Sequence, residues 1–269
     1  MDQSVRGIKT LFKKSMPRLY SRLGRERKFI RLLGNLRKRI RDDDFYLIDD
    51  TINKSLGMYN VECPICGFVG YFRAFGSPPR WNAHCPNCGS LERHRLLALA
   101  IRDMPLSGTL LHFAPEGAVA GLLKTKPIQY MSADLNKPNV DLKLNIEKIN
   151  LPDEQYDAII CSHVLEHVDD RAALLELRRI LKQHGTLIAM VPIKEGCCAT
   201  YEDKSITSPE DREIHFGQYN HVRCYGADFI QRVSNAGFDV QAYTAFGKEA
   251  VRYGLIMGAK VFICRKPKV

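Results

Sequence analysis

Two pairs of cysteines have the spacing of metal ligands. Each pair has the form Cys-x2-Cys followed by glycine, and eighteen residues separate the pairs formed by Cys63 and Cys66 and by Cys85 and Cys88. This spacing is typical of a four-cysteine zinc ribbon. Zinc in a structural site takes four ligands in a closed tetrahedron. The segment therefore predicts a structural Zn²⁺ site with no open position for catalysis.

A basic segment follows the second cysteine pair directly. It has the sequence Ser90-Leu-Glu-Arg-His-Arg95 and enters a helix predicted over 91–104, with Ser90 as its N-cap and Pro105 and Gly108 after its end. The side chains of Arg93, His94 and Arg95 could form an anion-binding edge facing an active site. Surface salt bridges in the first helical turn are the alternative.

A carboxylate follows the second of two predicted strands at the spacing of a nucleoside-binding site. The strand over 109–113 leads into Ala114-Pro-Glu-Gly117, and Asp134 closes the next strand. A carboxylate roughly twenty residues after such a turn can accept the ribose hydroxyls of a nucleoside. The chain lacks the Gly-x-Gly-x-x-Gly turn that binds a pyrophosphate at this position. This absence argues against NAD and favours S-adenosylmethionine, which carries no phosphate.

Three further stretches, at 141–146, 151–168 and 174–187, resemble the class I S-adenosylmethionine-dependent methyltransferases, especially the methyltransferase type 11-like branch. The second contains His163-Val-Leu-Glu166-His167-Val. The resemblance covers about 108–266, and a subset of bacterial members is similar from about residue 60. It implies an α/β fold with a Rossmann-like, mostly parallel, seven-stranded sheet and helices on both faces.

The resemblance also implies roles for individual residues in binding S-adenosylmethionine. The methionine part would contact Phe113, Ala114, Pro115 and Glu116. Asp134 would bind the ribose, Asn145 and Ile146 the adenine, and His163 would lie beside the sulfonium. His112 and Ala114 replace the usual acidic residue and glycine, which affects the expected methionine-carboxylate contacts but not the ribose and adenine sites. A domain that has lost its cofactor is the alternative.

Histidines supply the candidate general bases, because a hydroxyl nucleophile needs a base with a pKa near neutrality. We predict His221 as the base and His163 as the second candidate, and we expect His167 to be structural. A polar region over 211–228, where family members build a substrate lid, supplies the predicted substrate-binding residues Arg212, His215, Arg223 and Tyr225. A loop held by its own salt bridges is the alternative interpretation.

The elements that must position these residues alternate between strand and helix from residue 109 onward, which is typical of βαβ units. The predicted strands are 109–113, 129–133, 156–161, 186–191, 238–244 and 260–265. The predicted helices are 117–124, 171–183 and 226–236. We therefore expect three parts: a basic helical arm over 1–50, the ribbon and its linking helix over 51–104, and a methyltransferase domain over 105–269.

The formal net charge of +10 is concentrated in the arm. Residues 1–41 contain fourteen of the 40 Lys and Arg residues but two of the 30 acidic residues, so the rest of the chain has 26 basic and 28 acidic residues. Apolar residues recur there at helical spacing. The arm could lie on an anionic membrane, bind nucleic acid, or pack on the protein or on a second subunit.

These observations predict a cytoplasmic enzyme, with peripheral contact at the inner face of the membrane as one role for the arm. The N-terminus lacks a secretory h-region, and the apolar run at 187–193 is too short to span a bilayer. The predicted reaction is O-methylation of a sugar, a lipid-linked glycan or a polar small metabolite. An RNA methyltransferase and a zinc-ribbon interaction protein without catalysis are the alternatives.

Overall fold

The computed structural model describes residues 58–76 and 79–268. The predicted arm over 1–50 and the first residues of the predicted ribbon segment therefore lie outside the described residues. Residues Asn60–Val269 form one unit by their contacts. Within the described residues, no helix is long and apolar enough to cross a membrane.

Two short antiparallel hairpins carry the cysteine pairs. Strand β1 (Val61–Glu62) pairs with β2 (Val69–Gly70), and β3 (Arg73–Phe75) pairs with β4 (Arg80–His84). Helix α1 (Glu92–Ala100) follows the second cysteine pair. The predicted N-cap at Ser90 is wrong, because Leu91 is the N-cap and no side chain caps the helix in the usual way. Ser90 instead contacts the cysteines.

The described residues after α1 build a mixed seven-stranded sheet. Its strands, in chain order, are β5 (Thr109–Phe113), β6 (Gln129–Asp134), β7 (Leu142–Lys143), β8 (Tyr156–Ser162), β9 (Leu181–Met190), β12 (Asp239–Thr244) and β13 (Lys260–Arg265). The spatial order is β12-β13-β9-β8-β5-β6-β7. Strand β13 runs antiparallel to both neighbours, and the other pairs are parallel. The predicted fold class is confirmed.

Helices lie on both faces of this sheet. They are α2 (Gly117–Leu123), α3 (Asp170–Ile180), α4 (Pro209–Phe216), α5 (Phe229–Asn235) and α6 (Gly247–Arg252), with a 3₁₀ turn at Leu165–His167. One apolar core includes residues of α3 and α5, and the other includes residues of α1, α2 and α6. Two short antiparallel strands, β10 (Tyr201–Glu202) and β11 (Arg223–Cys224), pair with each other on either side of α4 in the sequence.

The bounds of the six predicted strands agree with the observed ones to within one residue except at one junction, and β7 was not predicted. The predicted helix over 171–183 ends at Ile180, and β9 begins at Leu181, five residues earlier than predicted. Leu181 is fully buried and pairs with Tyr156 of β8. The apolar positions at this junction therefore fit either element, and packing against β8 selects the strand.

Candidate active site and cysteine cluster

The four predicted metal ligands form one cluster. Their sulfur atoms all lie within 4.8 Å of one another, with 3.6 Å between Cys63 and Cys88 and 3.7 Å between Cys66 and Cys85. A tetrahedron with Zn–S bonds of about 2.3 Å has S···S edges of about 3.8 Å. The cluster therefore has the dimensions of a four-thiolate zinc site.

The turns around the sulfurs are those that the glycines permit. Gly67 donates to the carbonyl of Cys63 and Gly89 to that of Cys85, both with a left-handed φ of about 70°. The hydroxyl of Ser90 lies 3.4 Å from the Cys63 sulfur and 3.3 Å from the Cys88 sulfur. Ser90 thus supports the cysteine cluster, a role that its place before a helix did not reveal.

Arg95 connects the hairpins to the sheet domain. Its guanidinium is fully buried and lies 4.8 Å from the ring centre of Phe72. It donates five hydrogen bonds of 2.6–3.2 Å, all to backbone carbonyls, which belong to Asn82, Ala83, Ser90, Tyr253 and Gly254. All the donors of the guanidinium are used in this way. Arg95 therefore does not contribute to the predicted anion-binding edge.

Arg93 and His94 contact a carboxylate of the predicted cofactor site. The Nε of Arg93 lies 3.0 Å and the Nε2 of His94 lies 2.9 Å from Oε1 of Glu116. Because Nδ1 of His94 accepts from the amide of Leu91, its proton lies on Nε2 and is donated to Glu116. Burial would raise the pKa of Glu116, but His94 and Arg93 lower it to about 2. Its other oxygen, Oε2, is buried and has no hydrogen-bond partner in the part of the chain that the structure describes.

The carboxyl ends of β5 and β6 carry the turn and the carboxylate of the predicted cofactor site. Ala114 has a φ of 51°, so it adopts the left-handed conformation for which glycine is usual. Oδ1 of Asp134 accepts from the amides of Asn136 and Lys137 at 2.8 and 2.7 Å. Within the described residues, no donor bonds to Oδ2. The carboxylate is thus oriented by its own turn with one oxygen available.

The other predicted cofactor residues differ in exposure. Phe113 and Ile146 are buried in the core, with 2% and 5% of their surface exposed. Pro115 is half-buried and Asn145 is exposed. Little of the Phe113 or Ile146 side chain is therefore available to a ligand.

His163 lies at the carboxyl end of β8 in a strained conformation. Its φ is 55°, which is rare for a residue other than glycine and is characteristic of functional sites. Its Nδ1 lies 3.1 Å from Oε1 of Glu166. It lines a cavity of about 290 Å³ together with Arg93, Met190, Ile193 and Met257. The cavity thus lies at the carboxyl ends of β8 and β9.

The structure places both candidate bases, His163 and His221, close to Glu166. His221, His167 and Glu166 place one donor atom each within 4.8 Å of one another, and the rings of His167 and His221 meet edge to face at 4.7 Å. Burial lowers the pKa of His221. The sequence analysis did not predict Glu166 as a site residue. Its position between His163 and His167 was the feature that could have indicated this role.

Two predicted substrate-binding residues, Arg223 and Tyr225, form hydrogen bonds inside the protein. Arg223, 7% exposed, donates to the carbonyls of Leu165 and Val168 and pairs with Glu202. Tyr225 is fully buried and its hydroxyl donates to Asp170. These side chains hold the 3₁₀ turn and α3 in place, and their predicted contacts with substrate stay a prediction, although Arg223 also lines a polar cavity of about 550 Å³.

The other two predicted substrate-binding residues are accessible. Arg212 lines a polar cavity of about 550 Å³ with His167. His215 is exposed and its Nδ1 lies 2.7 Å from the hydroxyl of Tyr201. Arg212 therefore remains available to a ligand, whereas His215 lies at the outer surface of α4.

Comparison with known proteins identifies the central part of the sheet domain. Residues 111–189 match the family model described as a methyltransferase domain. An uncharacterized protein of Methanocaldococcus jannaschii is 36% identical over 81 residues, covering 24% of this chain and 36% of that protein. The match thus spans about a third of the curated relative. With the seven-stranded sheet, the family match shows that the chain contains a class I S-adenosylmethionine-dependent methyltransferase domain.

Solved structures with similar folds include two small-molecule methyltransferases. The 1,6-didemethyltoxoflavin-N1-methyltransferase of Burkholderia thailandensis is 12% identical, with a TM-score of 0.47 over 64% of this chain and 77% of that chain. The phosphoethanolamine N-methyltransferase 2 of Haemonchus contortus is 13% identical, with a TM-score of 0.46 over 67% of this chain and 53% of that chain.

Proposed function

We propose that this chain is an S-adenosylmethionine-dependent methyltransferase that methylates a hydroxyl oxygen of a polar substrate, such as a sugar, a lipid-linked glycan or a small metabolite. One observation carries the proposal. A left-handed turn at Ala114, an oriented carboxylate at Asp134 and a strained His163 share the carboxyl edge of the parallel strands, where such sheets bind nucleotides.

Cofactor binding is assigned to the residues at this edge. The available oxygen of Asp134 accepts the ribose hydroxyls, and Asn145 and Ile146 border the adenine. Phe113, Ala114, Pro115 and Glu116 border the methionine part. The unpartnered Oε2 of Glu116 is an acceptor for the methionine ammonium and takes over the role of the acidic residue that His112 replaces. When bound, the cofactor supplies a sulfonium-activated methyl group.

The acceptor is assigned to the cavity lined by His163. Its volume of about 290 Å³ is near the lower end for small-molecule sites. Because Glu166 accepts from Nδ1 of His163, the second ring nitrogen remains to accept a proton from a hydroxyl. The structure thus supports His163 as the base more directly than His221. Alignment of hydroxyl and methyl group supplies much of the catalysis.

The cysteine cluster is assigned a structural Zn²⁺. Four thiolates at tetrahedral spacing leave no open position, so the ion would hold the two hairpins together rather than act on substrate. Arg95 then connects these hairpins to the turn after α6.

Calorimetric titration of the purified chain with S-adenosylhomocysteine tests the cofactor site. We expect micromolar binding that weakens at least about tenfold in Asp134→Ala, because hydrogen bonds to a charged group are lost. Asp239→Ala is the matched control, since Asp239 is exposed on the edge strand β12. Absence of binding to the folded wild-type chain would refute the proposal.

Production of S-adenosylhomocysteine in the presence of hydroxylated acceptors tests the reaction. An active acceptor should show a greatly lowered kcat with His163→Gln, while the variant still binds S-adenosylhomocysteine. The same panel includes amine and RNA acceptors. Transfer to those acceptors alone would contradict the assignment of a hydroxyl nucleophile.

A further inference from the structure

A second cluster of metal-ligand side chains lies apart from the cysteines. Glu166 and His167 belong to the 3₁₀ turn after β8, and His221 belongs to the segment between α4 and β11. One donor atom from each residue lies within 4.8 Å of the other two. The amide of Val222 donates to the carbonyl of Glu166 at 2.9 Å, so the backbone itself holds the two segments together.

The carboxylate of this cluster is buried and incompletely paired. Glu166 is fully buried, its Oε1 faces Nδ1 of His163, and its Oε2 has no hydrogen-bond partner among residues 58–76 and 79–268. In the described part of the chain, no lysine or arginine forms an ion pair with it. A buried carboxylate oxygen without a partner is costly. A cation bound at Oε2 would remove this cost.

His167 is held as metal-binding histidines are usually held. Nδ1 of His167 lies 3.1 Å from the carbonyl of Asn220, and the ring of His221 meets that of His167 edge to face at 4.7 Å. A histidine that binds a metal through one nitrogen almost always donates its other N–H to such an acceptor. His167 therefore has Nδ1 fixed by the backbone and Nε2 available to the cluster.

We propose that Glu166, His167 and His221 bind a divalent first-row transition metal ion. Imidazole and carboxylate ligands suit Mn²⁺, Fe²⁺ and Zn²⁺. Three protein ligands leave coordination positions open for an oxygen ligand from solvent or substrate, unlike the four-thiolate cluster. The inference goes beyond methyl transfer and does not depend on it, because ion binding is measured directly.

Titration of the zinc-loaded chain with Mn²⁺ tests this site, with free Mn²⁺ followed by electron paramagnetic resonance. Mn²⁺ is the probe because the cysteine thiolates select zinc, whereas carboxylate ligands suit manganese. We expect one bound Mn²⁺ per chain. His221→Ala and Glu166→Gln should each weaken binding more than about tenfold, since loss of an outer hydrogen-bond partner of a ligand alone costs about 10- to 100-fold.

His184→Asn is the matched control, because His184 is exposed in the middle of β9, outside the cluster. Its Mn²⁺ affinity should equal that of the wild-type chain. His221 is half-buried, so His221→Ala tests the site even if Glu166→Gln fails to fold. Absence of Mn²⁺ binding at millimolar concentration, or binding unchanged in His221→Ala, would overturn the proposal. S-adenosylhomocysteine titration of the same samples reports separately on the cofactor site.

Discussion

Nη2 of Arg95 donates to the carbonyl of Gly254 at 2.6 Å, across 159 residues of sequence. Gly254 has a φ of 56°, and a Cβ at this position would lie 2.8 Å from Cγ1 of Val61. The turn after α6 therefore approaches both the first hairpin and the guanidinium. This contact joins the cysteine-containing segment to the sheet domain through a buried charge.

Replacing Arg95 by lysine should destabilise the protein strongly. A lysine ammonium has three donors and cannot reach five carbonyls, so buried acceptors lose their partners. We expect a loss of about 2–5 kcal/mol in the free energy of unfolding. Chemical denaturation measures it, and Arg102→Lys is the control because Arg102 pairs with Asp103 at the surface. Equal stability of the two variants would contradict the role of Arg95.

Removal of zinc should lower the thermal stability of the chain. The buried apolar cluster of the cysteine hairpins is small and consists of Val61, Cys63, Phe72 and Cys85, so metal binding contributes to their folding. Elemental analysis should find at least one zinc per chain, with one zinc lost in Cys88→Ser and none lost in Cys197→Ser, which alters an exposed cysteine. Full zinc content in Cys88→Ser would exclude the four-thiolate site.

His112 should make the protein less stable in mild acid. Burial lowers the pKa of His112 to about 4 from 6.5 despite the nearby Glu116, with Lys137 and His94 adding to the decrease. Between these values the unfolded chain binds the proton and the folded chain does not. Stability is therefore lost as the pH falls from 6.5 to about 4, by roughly 3 kcal/mol.

The difference in unfolding free energy between wild type and His112→Gln measures this effect across pH 4–7. The variant should gain stability relative to wild type as the pH falls. His184→Asn, which alters an exposed histidine, should follow the wild-type curve. A difference that stays constant with pH would show that His112 titrates alike in the folded and unfolded states.

Ala114→Gly should not lower the free energy of unfolding, although most alanine-to-glycine substitutions do. The left-handed conformation costs a non-glycine residue about 1–2 kcal/mol, while the flexibility of glycine in the unfolded chain costs about 0.4–1 kcal/mol. We expect a gain of up to about 1 kcal/mol by chemical denaturation. The control Ala120→Gly in α2 should lose about 1 kcal/mol. Equal losses in both variants would contradict strain at Ala114.

Much of the fold was predictable because local sequence pattern determines strands and turns. The strands at 109–113 and 260–265 have the predicted bounds, and the glycines after each cysteine pair adopt the predicted turns. Apolar runs bounded by polar residues need little information from elsewhere in the chain. The start of β9 was not predictable, since its apolar residues fit both helix and strand until they meet β8.

The sequence by itself determined the fold class, the cysteine cluster and the residues that reach the carboxyl edge of the sheet. Only the tertiary structure decided which polar side chains meet. Glu166 lies between His163 and His221, and Arg223 and Tyr225 turn inward to the 3₁₀ turn and α3. The physical reason is that a polar side chain must satisfy its hydrogen bonds wherever burial places it. Its partners come from segments distant in the chain, which no local pattern encodes.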